Sequence, residues 1–174
     1  PEQPKKMIVV GSGAIGIEFA YFYNAMGTEV TIVEFMPNIV PVEDEDISKQ
    51  LEKSLKKSGI NIMTSAEVTK VDTSGKGVKA FVKTAKGEKV LEADILLSAV
   101  GIKTNIENIG LEAVGIKTER DKIQVNEFYQ TNVPGYYAIG DVVPGQALAH
   151  VASAEGILCV EKIKGLHVEP INYG

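Results

Sequence analysis

Apolar positions along this chain recur with two different periods, and the changes between them predict its elements. Residues 7–10 form a short apolar run ending in Gly11-Ser12-Gly13, after which Ile15, Phe19, Phe22 and Met26 recur at helical spacing up to Gly27. This reads as strand, glycine turn, helix and glycine stop. A β-branched run at 30–33 ends at Glu34, and Pro37 and Pro41 punctuate the loop beyond it. Glu43, Asp44, Glu45 and Asp46 then form an acidic cluster of the kind that favours a helix N-terminus. Ile47, Leu51 and Leu55 continue at helical spacing to Gly59, and 60–63 reads as a third short strand. The order so far is βαβαβ.

From Val68 the pattern becomes short alternating runs at 68–71, 78–82 and 89–91, separated by Ser74-Gly75-Lys76-Gly77 and Ala85-Lys86-Gly87, which are hairpin signals and predict a small β-meander. The run 95–100 is nearly all apolar, as in a central strand of a parallel sheet buried on both faces, and Gly101 ends it. Polar turns follow, with a short strand candidate at 123–125, a tight apolar run at 136–139 before Gly140-Asp141, and a closing helix over 147–164. The expected fold is α/β: a Rossmann-like parallel sheet with helices on its faces and an inserted three-stranded β-meander. No repeat or low-complexity tract interrupts it, and the nearest thing to a boundary is the charged stretch at 115–122.

Composition narrows the function classes. A chain of 174 residues, 44% hydrophobic and 24% charged, is long enough for a real core in one domain or one and a fraction. The net charge of -5 is spread among interleaved basic residues, without the basic stripe that nucleic acid requires. No apolar run approaches the roughly 20 residues of a membrane helix and no signal peptide opens the chain, so no membrane partner is expected and the reading is a soluble intracellular protein. The start at Pro1, with a strand pattern almost at once, reads as a piece of a longer chain. Cys159 is the lone cysteine, which excludes an internal disulfide, a Cys-rich zinc site and a two-thiol redox centre. Sharing a helix face with Ala152, Gly156 and Ile163, it reads as a small core residue, and no metal-ligand spacing occurs.

The chemistry lies in Gly11-Ser12-Gly13-Ala14-Ile15-Gly16, a GxGxxG set placed directly after a strand and opening a helix, the context a dinucleotide fingerprint requires. Gly11 permits the tight turn, Gly13 lets the backbone approach a pyrophosphate seated on the helix N-terminus, and Gly16 lets helix and strand pack closely. Glu34, at the end of the next strand, can accept hydrogen bonds from the adenosine ribose hydroxyls. A carboxylate there repels a 2′-phosphate, and 35–40 contains no Arg or Lys to receive one, so NAD is expected over NADP. The plainer reading makes the glycines a structural turn and Glu34 a solvated strand end.

The stretch 7–20 resembles the second nucleotide-binding fingerprint of flavoproteins with two dinucleotide-binding domains, the one that takes NAD. In that family the glutamate two residues after the last fingerprint glycine lies near nicotinamide and flavin, which implies that Glu18 helps position the nicotinamide; alone, it reads as a solvent-facing helix residue. Thr131-Asn132-Val133-Pro134-Gly135-Tyr136-Tyr137-Ala138-Ile139-Gly140-Asp141 is similar to the family's T-x-x-P-x-x-Y-A-x-G-D stretch, whose aspartate binds the FAD ribityl chain. The resemblance therefore implies that Gly140 and Asp141 are FAD-side residues. Leu148, Ala149 and His150 match a stretch where backbone groups at a helix start approach the flavin ring. Gly101, implied on the NAD side, opens Gly101-Ile102-Lys103-Thr104-Asn105 where the family carries G-R-x-P-N, and Ile102 and Thr104 depart from that pattern.

Taken with 107–112, the chain looks most like the dihydrolipoamide dehydrogenases of the pyridine nucleotide-disulfide oxidoreductase family. The resemblance implies an NAD-binding domain at 1–120 followed by an incomplete FAD-domain segment at 121–174. It covers essentially the whole chain but less than half of such an enzyme. The redox disulfide and the His-Glu acid-base pair lie outside it, so no catalytic residue is expected in this chain and the fragment alone is expected to be inactive. The implied reaction passes electrons from dihydrolipoamide to a disulfide, then through FAD to NAD. Homodimerisation, membership of 2-oxo acid dehydrogenase complexes, and a bacterial cytoplasmic or mitochondrial matrix location are implied with it. The alternatives are another NADH-dependent flavoprotein, such as an NADH oxidase or disulfide reductase, and a non-catalytic NAD-binding module.

Overall fold

The computed structural model describes residues 2–173. By packing, the chain divides into two compact units, 1–102 and 103–174. The segment 103–120 groups with the second unit because its polar groups are satisfied there. Thr104 N donates to Asp121 Oδ2 at 3.2 Å, Lys117 N donates to Asn132 Oδ1 at 2.8 Å, and Asn132 Nδ2 donates to the Gly115 carbonyl at 2.9 Å.

In the first unit, β1 (Lys6–Val10), α1 (Ala14–Ala25), β2 (Glu29–Val33), α2 (Glu45–Lys57) and β3 (Asn61–Met63) follow the expected βαβαβ order. The meander follows as β4 (Glu67–Asp72), β5 (Val78–Thr84) and β6 (Gly87–Ala93), and β7 (Ile95–Ser98) returns to the first sheet. That sheet has the order β3-β2-β1-β7, every pair parallel, with Val9 opposite both Ile32 and Leu97. The meander is antiparallel, β4-β5-β6. Asp94 alone separates β6 from β7; its N–H donates to the Lys6 carbonyl at 3.0 Å, and its Oδ2 accepts from Lys5 N and Lys6 N at 2.8 and 2.9 Å.

The two-residue period of β1 sorts its side chains to two cores. Met7 and Val9 pack with Ile17 and Ala20 of α1 and Leu55 of α2, while Ile8 packs with Ala80 and Val82 of β5. Both helices therefore cover one face of the parallel sheet, and the meander covers the other. Each fully buried aliphatic side chain, such as Ile8 or Ile32, contributes about 1.5–3 kcal/mol.

The reading of α1 as a helix stands and gains its inward face, while one sequence expectation, for β7, needs correction. The apolar residues used to read α1, Ile15, Phe19, Phe22 and Met26, are exposed, and the buried face is Gly16, Ile17 and Ala20. This helix is apolar on more than one side, so its period reveals the helix but not the inward face. The strand read as central, β7, is an edge strand with none of its residues fully buried, and the strands buried on both faces are β1 and β2. An unbroken apolar run reports an apolar surface, whatever lies against it. Asp44 caps α2 as the acidic cluster predicts, its Oδ1 accepting from Asp46 N and Ile47 N at 2.9 and 3.4 Å.

The second unit holds a short hairpin of β8 (Thr118–Glu119) and β9 (Lys122–Ile123), a 3-10 turn at Gly140–Val142, and α3 (Ala149–Ile163). The strand candidate at 123–125 is realised as β9 and a bridge from Val125 to Thr131, and the run at 136–139 makes a bridge from Tyr137 to Gln130. Its small core joins Tyr129, Leu158 and Cys159. Among the described residues no helix is long and apolar enough to cross a membrane.

Candidate functional site

In the first sheet, chain connections leave β1 toward β2 on one side and arrive at β7 on the other, which makes the C-terminal ends of these strands a topological switch point. A cleft of about 600 Å³ opens there. It is lined by Gly11, Ser12, Gly13, Glu34 and Gly101, with Phe35, Met36, Val42 and Val68 as apolar walls. A second cleft, about 650 Å³, lies by the N-terminal ends of β2 and β3 beside Glu29, Thr31, Lys56 and Asn61, and gathers none of the candidate cofactor-binding residues.

Each fingerprint glycine meets a different constraint. Gly11 has φ +95, and a Cβ on it would lie 2.5 Å from the Ala99 carbonyl oxygen. A Cβ on Gly16 would lie 2.1 Å from the Gly11 carbonyl oxygen, so Gly16 serves the helix–strand contact and does not line the cleft. A Cβ on Gly13 would meet nothing within 4 Å, so the backbone at the start of α1 is open to an approaching group. The first turn of α1 carries no acidic side chain, leaving its N–H groups and dipole uncompensated.

Glu34 is not a solvated strand end: only 6% of its surface is exposed. Its Oε2 accepts from Ser12 N at 2.8 Å and from Ser12 Oγ at 2.6 Å, and its Oε1 accepts from Met36 N at 2.8 Å. Both lone pairs of Oε2 are thus engaged, and Oε1 keeps one acceptor position. The Ser12 amide is committed to this carboxylate, so Ser12 acts on the cleft through Glu34. Val40 adds a further restraint that the sequence gave no sign of. Its N–H donates to the Ser12 carbonyl at 3.0 Å while its backbone holds φ 40, an uncommon conformation for a β-branched residue. Ala14, Ile15 and Glu18 are exposed on α1 and do not line the cleft.

In the second unit, Gly140 opens the 3-10 turn at φ +73, and a Cβ there would stand 3.2 Å from that of Ala152. Asp141 is exposed, and its carbonyl accepts from Lys122 Nζ. Leu148 is the N-cap of α3, and Ala149 and His150 begin it, all three exposed. Sequence reading missed Glu155, which is 1% exposed and accepts from Gly140 N at 2.6 Å. The available signal was its spacing from Leu158 and Cys159, three and four residues on, which puts it on the buried face of α3. Burial, with hydrogen bonds to Tyr129 and Glu155, pushes the Tyr173 phenol well above its ordinary range, and burial also raises the Cys159 thiol.

The profile of the pyridine nucleotide-disulphide oxidoreductase family matches residues 1–156. The chain belongs to this family. Members related to it use FAD and NAD. It is 52% identical over 173 residues to a dihydrolipoyl dehydrogenase of Rhizobium etli, covering 98% of this chain and 36% of that protein. Among solved structures it is similar to LpdA of Mycobacterium tuberculosis, with TM-score 0.87 and 32% identity over 98% of this chain and 37% of that one. It is also similar to the HOCl-induced flavoprotein disulfide reductase RclA of Escherichia coli, with TM-score 0.87, 26% identity, and coverage of 97% and 38%. The chain thus spans little more than a third of the length of these family members.

Proposed function

We propose that residues 1–120 form the NAD cradle of a dihydrolipoyl dehydrogenase and that 121–174 are part of its FAD-binding domain. The observation that carries the reading is the pairing of the unobstructed Gly13 backbone with a Glu34 carboxylate held in place at the switch-point cleft. Gly13 and the first turn of α1 would seat the pyrophosphate, and the remaining acceptor position on Glu34 Oε1 would take an adenosine ribose hydroxyl. Gly101 closes the cleft beside them, and Glu18 would help position the nicotinamide. When bound, NAD supplies the hydride acceptor; the residues here only bind and orient it.

In the second unit, the exposed Asp141 carboxylate on a turn opened by Gly140 suits the hydroxyl groups of a ribityl chain. Backbone groups at Leu148, Ala149 and His150 would face the flavin. The whole protein would oxidise dihydrolipoamide with NAD, through FAD and a disulfide carried elsewhere, as a homodimer within a 2-oxo acid dehydrogenase complex in a bacterial cytoplasm or mitochondrial matrix. What supports this over another flavoprotein disulfide reductase is the identity to the Rhizobium etli enzyme.

Titration calorimetry with NAD and NADP in parallel tests the cradle. Saturable NAD binding, much weaker NADP binding, and loss of NAD binding in Glu34→Arg are expected. A folded protein that ignores NAD overturns the assignment.

A further inference from the structure

The second unit buries one carboxylate that the proposed function leaves unused. Glu155 has no salt-bridge partner among the described residues, and only hydrogen bonds compensate its burial. Its Oε2 accepts from Gly140 N at 2.6 Å. Its Oε1 accepts from the Tyr173 hydroxyl at 2.7 Å, and that hydroxyl lies 2.7 Å from the Tyr129 hydroxyl. With Tyr173 donating to Glu155, Tyr129 is the donor to Tyr173, so the proton order runs Tyr129, Tyr173, Glu155.

Both ends of this relay grip the chain around Gly140. At one end Glu155 fixes the Gly140 amide, next in sequence to Asp141. At the other, Tyr129 sits at φ 64 with 5% of its surface exposed, and its carbonyl accepts from Ala138 N at 3.0 Å, two residues before Gly140. Both approaches to the turn are therefore tied to one hydrogen-bonded network, buried at Glu155 and Tyr129 and exposed at Tyr173. An apolar residue at 155 would pack at lower desolvation cost but would leave the Gly140 amide without this acceptor.

We infer that Glu155, held by the Tyr173–Tyr129 hydroxyl pair, is a positioning residue for flavin: by fixing the Gly140 amide it sets where Asp141 meets the ribityl chain. The inference rests on the reading of Asp141 as a flavin ligand, and the test separates the two.

In the whole flavin-loaded protein, the rate of flavin release is followed by the recovery of free-flavin fluorescence, with NAD affinity as a control. Glu155→Leu is expected to release flavin about tenfold faster at unchanged NAD affinity. Glu155→Gln keeps an oxygen for Gly140 N and can donate to Tyr173 once the two hydroxyls reverse their order, so its release rate should stay within about threefold of the parent. Tyr173→Phe, which leaves the carboxyl in place but removes its second donor, should fall between them, and it decides the matter if Glu155→Leu does not fold. Asp141→Asn should speed release on its own; if it does not, the ligand reading fails first. If Asp141→Asn speeds release while Glu155→Leu and Tyr173→Phe release flavin at the parent rate, or if NAD affinity falls in step with flavin retention, the positioning role is overturned.

Discussion

Ser12 and Glu34, 22 residues apart in sequence, are joined twice through one carboxylate oxygen, by the Ser12 amide at 2.8 Å and the Ser12 hydroxyl at 2.6 Å. With the Met36 amide on the other oxygen, three donors depend on this side chain. Replacing Glu34 with Ala removes the acceptor for all three, and each buried donor left unpaired costs about 1–3 kcal/mol where water cannot reach it. Glu34→Ala should therefore lower stability by more than a surface substitution does, while Glu34→Gln should recover part of the loss. Urea melts of the two variants measure this, and an Ala variant as stable as the parent would contradict the arrangement.

The two fingerprint glycines on either side of the helix start should respond in opposite ways. Gly16→Ala forces a Cβ to within 2.1 Å of a backbone oxygen and should destabilise the fold by about 1–3 kcal/mol or more. Gly13→Ala places its methyl in open space and should cost below about 1 kcal/mol, yet that methyl stands where the pyrophosphate would approach. Denaturant melts paired with NAD titration should find one variant unstable and the other stable but weak in NAD binding. Equal stability losses would sink the distinction.

Asp94 gives a pH signature. Hydrogen bonds from the backbone N–H of Lys6 and then Lys5 hold its carboxyl below the ordinary carboxylate range. A group whose folded value is depressed adds stability above its unfolded value, near 3.9, and loses it as pH falls through the folded value. The parent should therefore be more stable than Asp94→Asn at neutral pH, with the gap closing as pH falls from about 4 through the lower folded value. Thermal midpoints of both proteins across that range test it; a gap that does not change with pH would show that the charge is irrelevant.

How much of this was legible in the sequence depends on whether a residue's role is local. The glycine turn, the Asp44 cap and the hairpins of the meander follow from neighbouring residues, and they stand where the pattern put them. The edge position of β7 and the exposure of Phe19 and Phe22 do not follow, because apolar character is the same whichever surface meets it. Glu34 was placed correctly at its strand end, but its burial depends on a serine hydroxyl from the preceding turn. Glu155, Tyr129 and Tyr173 were invisible as a group, since their link is made only when distant segments meet.

The single-residue corner at Asp94 also bears on how the first unit can move. With bonds from Asp94 reaching back to β1 on both its amide and carboxyl sides, the passage from β6 to β7 has no slack in which backbone angles could swing. The meander is therefore a fixed buttress of the parallel sheet. Of the segments that line the cleft, the loop between β2 and α2 has no such tie to the meander, and within it Val40 holds a costly backbone angle.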